Sequence, residues 1–283
     1  SIVIFFIINA PSCYYIDNSI LCNKLFFNKK NHIILLNVER LFDLSGKIIV
    51  LTGAAGNLGS KYVEGFSQAG ANVVLADIDF QKCKNIEKMI RKKYGVDPLS
   101  VKVDLTDPRS IKNMVNKILK KYSKIDVLVN NAAYQGNSKI RSGGFENLDL
   151  KTWNKAIDVN LTGIFLLCQE IGKIMIKQKN GNVINISSTY GIVGADQRIY
   201  GKSGQNSAAF YAVTKSAILN LTRYLASYWN RTGIRVNTFS PGGVENNQGK
   251  NFIKKYSEKT MIGRMAKKDE YVGALIFLAS DAS

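Results

Sequence analysis

Tyr211 and Lys215 stand four residues apart at the start of a helical run, AVTKSAILNLTRYLASYW. At that spacing two helix side chains share one face. A free tyrosine loses its proton near pH 10, too high for a base at neutral pH. An adjacent ammonium favours the phenolate, so Lys215 is expected to lower the pKa of Tyr211. Such a pair can act as a general acid/base without histidine. The sequence holds a single histidine, His32, which argues against a histidine triad and against zinc catalysis. No metal site is expected. In isolation, Tyr and Lys at this spacing occur on many helices, so their meaning depends on what surrounds them.

A second chemical feature lies upstream. The apolar run KIIVL leads into Thr52-Gly53-Ala54-Ala55-Gly56-Asn57-Leu58-Gly59, with a helix expected from about residue 60. Glycines allow a tight turn and close approach of backbone to a pyrophosphate. The helix amino terminus adds free N–H groups and a positive dipole end. Gly53, Asn57, Leu58 and Gly59 are therefore candidate cofactor contacts. The next apolar run ends at Asp77, 24 residues after Gly53. A carboxylate there accepts hydrogen bonds from the adenosine ribose and repels a 2′-phosphate, which predicts NAD over NADP. Lys82 and Lys84 lie nearby and pull weakly the other way. Further polar turns close later runs: Asp104-Leu105, Asn130-Asn131-Ala132-Ala133 and Ser187-Ser188.

The elements that must position these groups are legible as alternation. Short apolar, β-branched runs cover residues 47–51, 71–76, 99–103, 125–130, 182–186 and 234–238. Stretches of 3.6-residue periodicity, such as 111–122 and 153–176, lie between them. Runs that are apolar nearly throughout suit strands buried on both faces. Strand–helix alternation predicts an α/β, Rossmann-like, doubly wound parallel sheet of six strands. Ligands then gather at the carboxyl ends of the strands, where each polar turn falls. Residues 41–283 read as one NAD(P)-binding catalytic domain, and residues 1–40 as an amino-terminal extension unlike the rest. Its apolar segment, SIVIFFIINA, is too short to span a bilayer.

Charge and cysteines narrow the remaining classes. The net charge is +18 over 283 residues, from 30 Lys and 9 Arg against 21 acidic residues. Arginine, the usual fork for phosphates and base edges, is not enriched. The lysines are scattered, so the excess reads as a solvated surface rather than a nucleic-acid face. The four cysteines, Cys13, Cys22, Cys83 and Cys168, show no CxxC pair or disulfide spacing. A reducing, cytoplasmic setting is expected, with no nucleic-acid or membrane partner.

Taken in order, TGAAGNLG, Asp77, Asp104-Leu105, NNAA, DVNLTG, SS, YAVTK and SPGG resemble the short-chain dehydrogenase/reductase family over roughly residues 42–283. The resemblance is to its single-domain branch. It implies an NAD(P)-dependent oxidoreductase that interconverts an alcohol and a carbonyl on a small molecule. It implies Tyr211 as proton donor and acceptor, Lys215 holding the nicotinamide ribose, and Ser188 polarising the substrate oxygen, with Ser187 as fallback. It places Asn160, in DVNLTG, beside a proton-relay water. It adds Asn131, Ala132, Pro241, Gly242 and Val244 to the cofactor contacts, and a homo-oligomer, dimer or tetramer, paired through the helices around 150–177 and 210–228.

Three departures stand out. The glycine spacing 53, 56, 59 resembles the branch acting on nucleotide-sugars. Ser188 precedes Tyr211 by 23 residues, a longer interval than the family's, and the extra loop is expected to shape a substrate pocket with residues 134–147. The loop resembles those of sugar-modifying oxidoreductases, so a sugar or sugar-derived substrate is the expectation. The family's seventh strand is not readable after LIFLASDAS, which raises an alternative: a truncated or impaired homologue that binds cofactor without turnover and is less stable than a longer form.

Overall fold

The computed structural model describes residues 38–283. The expected amino-terminal extension, with Cys13, Cys22 and His32, falls outside them but for its last residues. The helices are α1 (Val38–Phe42), α2 (Gly59–Gln68), α3 (Phe80–Tyr94), α4 (Pro108–Tyr122), α5 (Ser138–Ser142), α6 (Leu150–Ile157), α7 (Gly163–Gln178), α8 (Ala209–Tyr228), α9 (Lys250–Ser257) and α10 (Val272–Ala279). The strands are β1 (Ile48–Thr52), β2 (Asn72–Asp77), β3 (Leu99–Lys102), β4 (Val127–Asn130), β5 (Gly181–Ile186) and β6 (Ile234–Phe239). All six pair in parallel, in the order β3-β2-β1-β4-β5-β6. Every predicted strand is present, with ends shifted by a residue or two.

The runs are apolar throughout because both faces are covered. Alternate residues of β1 point to opposite layers. Ile48 and Val50 pack with residues of α4, α7 and α8, while Ile49 and Leu51 pack with residues of α2, α3 and α10. Helix starts follow local chemistry. Asp107 accepts from Arg109 N, and Pro108 opens α4 with a φ already suited to a helix. Asp79 accepts from Lys82 N at the start of α3, and Asp149 accepts from Thr152 N at the start of α6.

The strand order reverses between β1 and β4, so the crevice opens above that pair. One departure from the expected continuous helix bears on the site. Residues Leu150–Gln178 form a single helix long and apolar enough to cross a membrane by length and composition. Here its Ile164, Leu167, Ile171 and Met175 are buried in the sheet's own core. A π turn at Asp158–Thr162 interrupts it. Just after that turn the helix passes so close to the β3–α4 loop that a Cβ on Gly163 would meet the Leu105 carbonyl at 3.0 Å. Single π turns of this kind re-aim side chains and recur at functional sites. Asn160 is the buried residue within it.

Candidate active site

The β1–α2 loop forms a cradle only glycine can line. Gly53 has φ +65, and a Cβ there would stand 2.8 Å from the Ala132 Cα. A Cβ on Gly59 would stand 2.0 Å from the Gly53 carbonyl oxygen. Both clashes are with backbone, which cannot swing aside. Asp77 braces the loop from β2: its Oδ2 accepts from Ala55 N at 2.9 Å and its Oδ1 from Asp79 N at 3.0 Å. Across the crevice, Asn131 N and Ala132 N both donate to the Thr52 hydroxyl, at 3.0 and 3.1 Å. The Asn131 amide donates to the Thr52 carbonyl at 2.9 Å. The two strand ends that flank the switch point are thus tied side to side. Asp104, at the end of β3, has its pKa lowered by its bonds from Thr106.

The catalytic candidates converge at the end of β5. Ser188 is nearly buried; its Oγ accepts from Tyr190 N at 3.2 Å, and its hydroxyl pulls the Tyr211 phenol's pKa down. Burial outweighs that pull, and the Tyr211 pKa is raised overall. The expected lowering by Lys215 is not found in the protein alone. Its ammonium is turned to the Ile186 carbonyl, to which it donates at 2.6 Å, and stands 5.8 Å from the centre of the Tyr211 ring. Lys215 is itself 3% exposed, and desolvation pulls its pKa down to about 8. A neighbour that is readily neutralised exerts less electrostatic influence than the sequence pattern suggests.

Ser187 is already committed elsewhere, since its hydroxyl donates to the Lys215 carbonyl at 2.6 Å. Ser203 accepts from Gln205 N, and Ser207 is tied to Gln197. Among these serines Ser188 is therefore the one at Tyr211. Asn160 joins the β4 loop to α8: its Oδ1 accepts from Tyr134 N at 2.6 Å, and its amide donates to the Tyr134 carbonyl and to Thr214 Oγ1.

A cavity of about 510 Å³ connects these groups. Gly53, Asn57, Leu58, Gly59, Asp77, Asp104 and Leu105 line it on the side of β1, β2 and β3. Asn131, Ala132, Tyr211, Lys215 and Pro241 line the rest. Gly242 and Val244 do not line it. Gly242 faces the Tyr271 hydroxyl, while Val244 is drawn into a bridge with Ala266. Ser188 and Asn160 are not among the lining residues, whereas Ser187 is. Tyr134 and Gln135, from the stretch expected to shape the pocket, also line the cavity; the sequence reading missed Ile78 and Lys155, which line it too. It also missed Gly191, where a Cβ would meet the Lys215 backbone at 2.7 Å. Gly191 carried no local signal.

This geometry has close relatives. A family model described as enoyl-(acyl carrier protein) reductase matches residues 53–283. The 3-oxoacyl-(acyl-carrier-protein) reductase of Thermotoga maritima is 34% identical over 248 residues, covering 85% of this chain and 93% of that protein. The chain belongs to the short-chain dehydrogenase/reductase family. Two solved members of similar shape carry cofactor. A Leptospira borgpetersenii short-chain dehydrogenase with bound NAD+ has a TM-score of 0.74 and 32% identity, covering 91% of this chain and 94% of that one. A Burkholderia cenocepacia gluconate 5-dehydrogenase, in complex with NADP and tartrate, has a TM-score of 0.78 and 27% identity, covering 87% and 93%. Family members are oxidoreductases acting on CH–OH groups with NAD(P), and the glycine cradle here fits such a dinucleotide.

Proposed function

We propose that the chain is an NAD-dependent dehydrogenase of a polyhydroxylated, sugar-derived alcohol, with Tyr211 as its acid/base. The observation that carries the reading is the meeting of Tyr211 and Lys215 with the glycine cradle in one cavity. A nicotinamide dinucleotide supplies or accepts the hydride when bound. Gly53, Asn57, Leu58 and Gly59 would hold its pyrophosphate at the start of α2. Asp104 and Leu105 would border its adenine, Asn131 and Ala132 its adjoining ribose, and Pro241 the nicotinamide end. Ser188 donates a hydrogen bond to the substrate oxygen, and Tyr211 moves the proton to or from that oxygen. Lys215 would hold the nicotinamide ribose, and Asn160 keeps Tyr134 and Thr214 in register beside it.

Asp77 supports NAD, because a carboxylate fixed at the ribose end repels a 2′-phosphate. Lys84, close enough in sequence to offset it, is paired instead with Glu87 at 3.1 Å. The expected result is a kcat/KM for NAD at least about tenfold above that for NADP, one charge contact's worth. Steady-state rates on a panel of polyols, sugars and simple alcohols test both halves. A clear preference for NADP overturns the cofactor assignment, and a preference for simple alcohols overturns the substrate class.

The same reading includes a homo-oligomer. Leu150 and Phe165 on the long helix are exposed, as are Val213 and the stacked pair Tyr224–Tyr228 on α8. Exposed apolar side chains on these two helices would supply an association face. Light scattering should give at least a dimer mass, and charged substitutions at Phe165 and Tyr228 should lower it. A monomer in the unsubstituted chain refutes this part.

A further inference from the structure

The loop between Ser188 and Tyr211 does more than lengthen the chain. Its residues Gln197–Tyr200 form a short 3-10 turn that packs on α9, with the rings of Tyr200 and Phe252 5.2 Å apart. Its later part is pinned to α5, where Asn206 N donates to the Arg141 carbonyl at 2.8 Å. Arg141 is thus held by a residue just upstream of Tyr211 on the same chain segment. Tyr200 senses both sides of this arrangement. Burial raises its pKa, the Arg141 charge pulls it back, and the Tyr211 phenol also acts on it.

Several basic residues around this rim are paired with carboxylates. Arg198 and Lys259 share Asp196, and Arg264 is held by Glu270. Arg141 differs. Its Nε is buried and has no hydrogen-bond partner, and its guanidinium forms no ion pair among the described residues. A desolvated guanidinium nitrogen without an acceptor is costly, and a native structure holds one there for a reason. The fork of Nε and Nη is shaped for a planar or tetrahedral anion.

We propose that Arg141 is a specificity-determining residue that pairs with a carboxylate or phosphate on the substrate, so that the chain acts on an anionic polyol rather than a neutral one. This rests on the dehydrogenase reading above and narrows its substrate class. The anion would sit at the end of the substrate remote from the carbon that Tyr211 and Ser188 address. Lys155, another cation lining the cavity, lies over the Tyr134 ring.

The test is a titration of the chain loaded with reduced cofactor, followed by cofactor fluorescence. Gluconate, 6-phosphogluconate and neutral xylitol are the probes. At least one anion should bind about tenfold or more tighter than xylitol, and which one does so separates a carboxylate site from a phosphate site. Arg141→Met should weaken that anion by about 10- to 100-fold, the usual loss for a charge-assisted fork. It should leave xylitol and cofactor binding unchanged, and Arg141→Lys should recover part of the loss. Equal binding of xylitol and both anions overturns the proposal, as does an equal loss for xylitol and the anion in the Met variant. Absence of anion binding at millimolar concentration overturns it too. Intact anion selectivity with no hydride transfer to or from any alcohol instead sinks the dehydrogenase reading and leaves the anion site standing.

Discussion

Tyr211→Phe lowers kcat by about 10²- to 10⁴-fold, the usual worth of a positioned acid/base. Affinity for the cofactor changes little. Phenylalanine keeps the ring, which is mostly buried, so helix α8 and the cavity wall stay in place. Only the hydroxyl is removed. A binding defect would therefore indicate a different role for the residue. Single-turnover hydride transfer, read with a fluorescence titration of the cofactor, checks both halves. Full activity in the variant removes Tyr211 from the mechanism.

Lys215→Met separates stability from activity. Burial holds the folded-state pKa of Lys215 at about 8, against an ordinary 10.5. Between those values the unfolded chain binds the proton and the folded chain does not. Stability of the native chain therefore rises with pH across that window. The gain is about 3 kcal/mol, because each tenfold change in proton affinity corresponds to about 1.4 kcal/mol. Below pH 8 both states are protonated, and the folded state carries the full cost of a buried ammonium. Methionine removes that cost and forfeits the bond to the Ile186 carbonyl, worth about 1 kcal/mol. The variant is expected to be the more stable chain at pH 7, by about 2 kcal/mol. That advantage should be gone by pH 10.5, and turnover should be largely lost throughout. Buried tyrosines act in the opposite sense at higher pH, but they are common to both chains and cancel in the difference. Urea melts of the two chains from pH 7 to 10.5 measure it, and parallel curves refute it.

Much of this was readable in the residues. The six strands were legible because each is covered on both faces, and a strand so placed must be apolar along its length. The cradle at 53–59 was legible because backbone collisions leave glycine no substitute. What stayed hidden depends on contacts between distant segments. No local pattern marks the π turn at 158–162, which arises where the long helix meets the β3–α4 loop. Gly242 and Val244 lie in SPGGV, beside the nicotinamide by sequence order. Neither lines the cavity: Gly242 lies beside the Tyr271 hydroxyl, and Val244 bridges to Ala266. The direction in which the Tyr211 pKa moves was not legible, because helical spacing gives proximity, not burial. Arg141 sits in an unremarkable polar stretch, and only the folded loop leaves its Nε desolvated.

The insertion between β5 and α8 is fastened at both ends to the catalytic helix. Gly191 rests against the backbone of Lys215, and the Ala208 carbonyl accepts from Tyr211 N at 3.0 Å. Between those anchors, Tyr200 packs on α9 and Asn206 is bonded to α5. Such a segment is a cassette. Its interior can be lengthened, shortened or exchanged while the proton-transfer pair keeps its footing, so substrate range and chemistry can be inherited, or engineered, independently of each other.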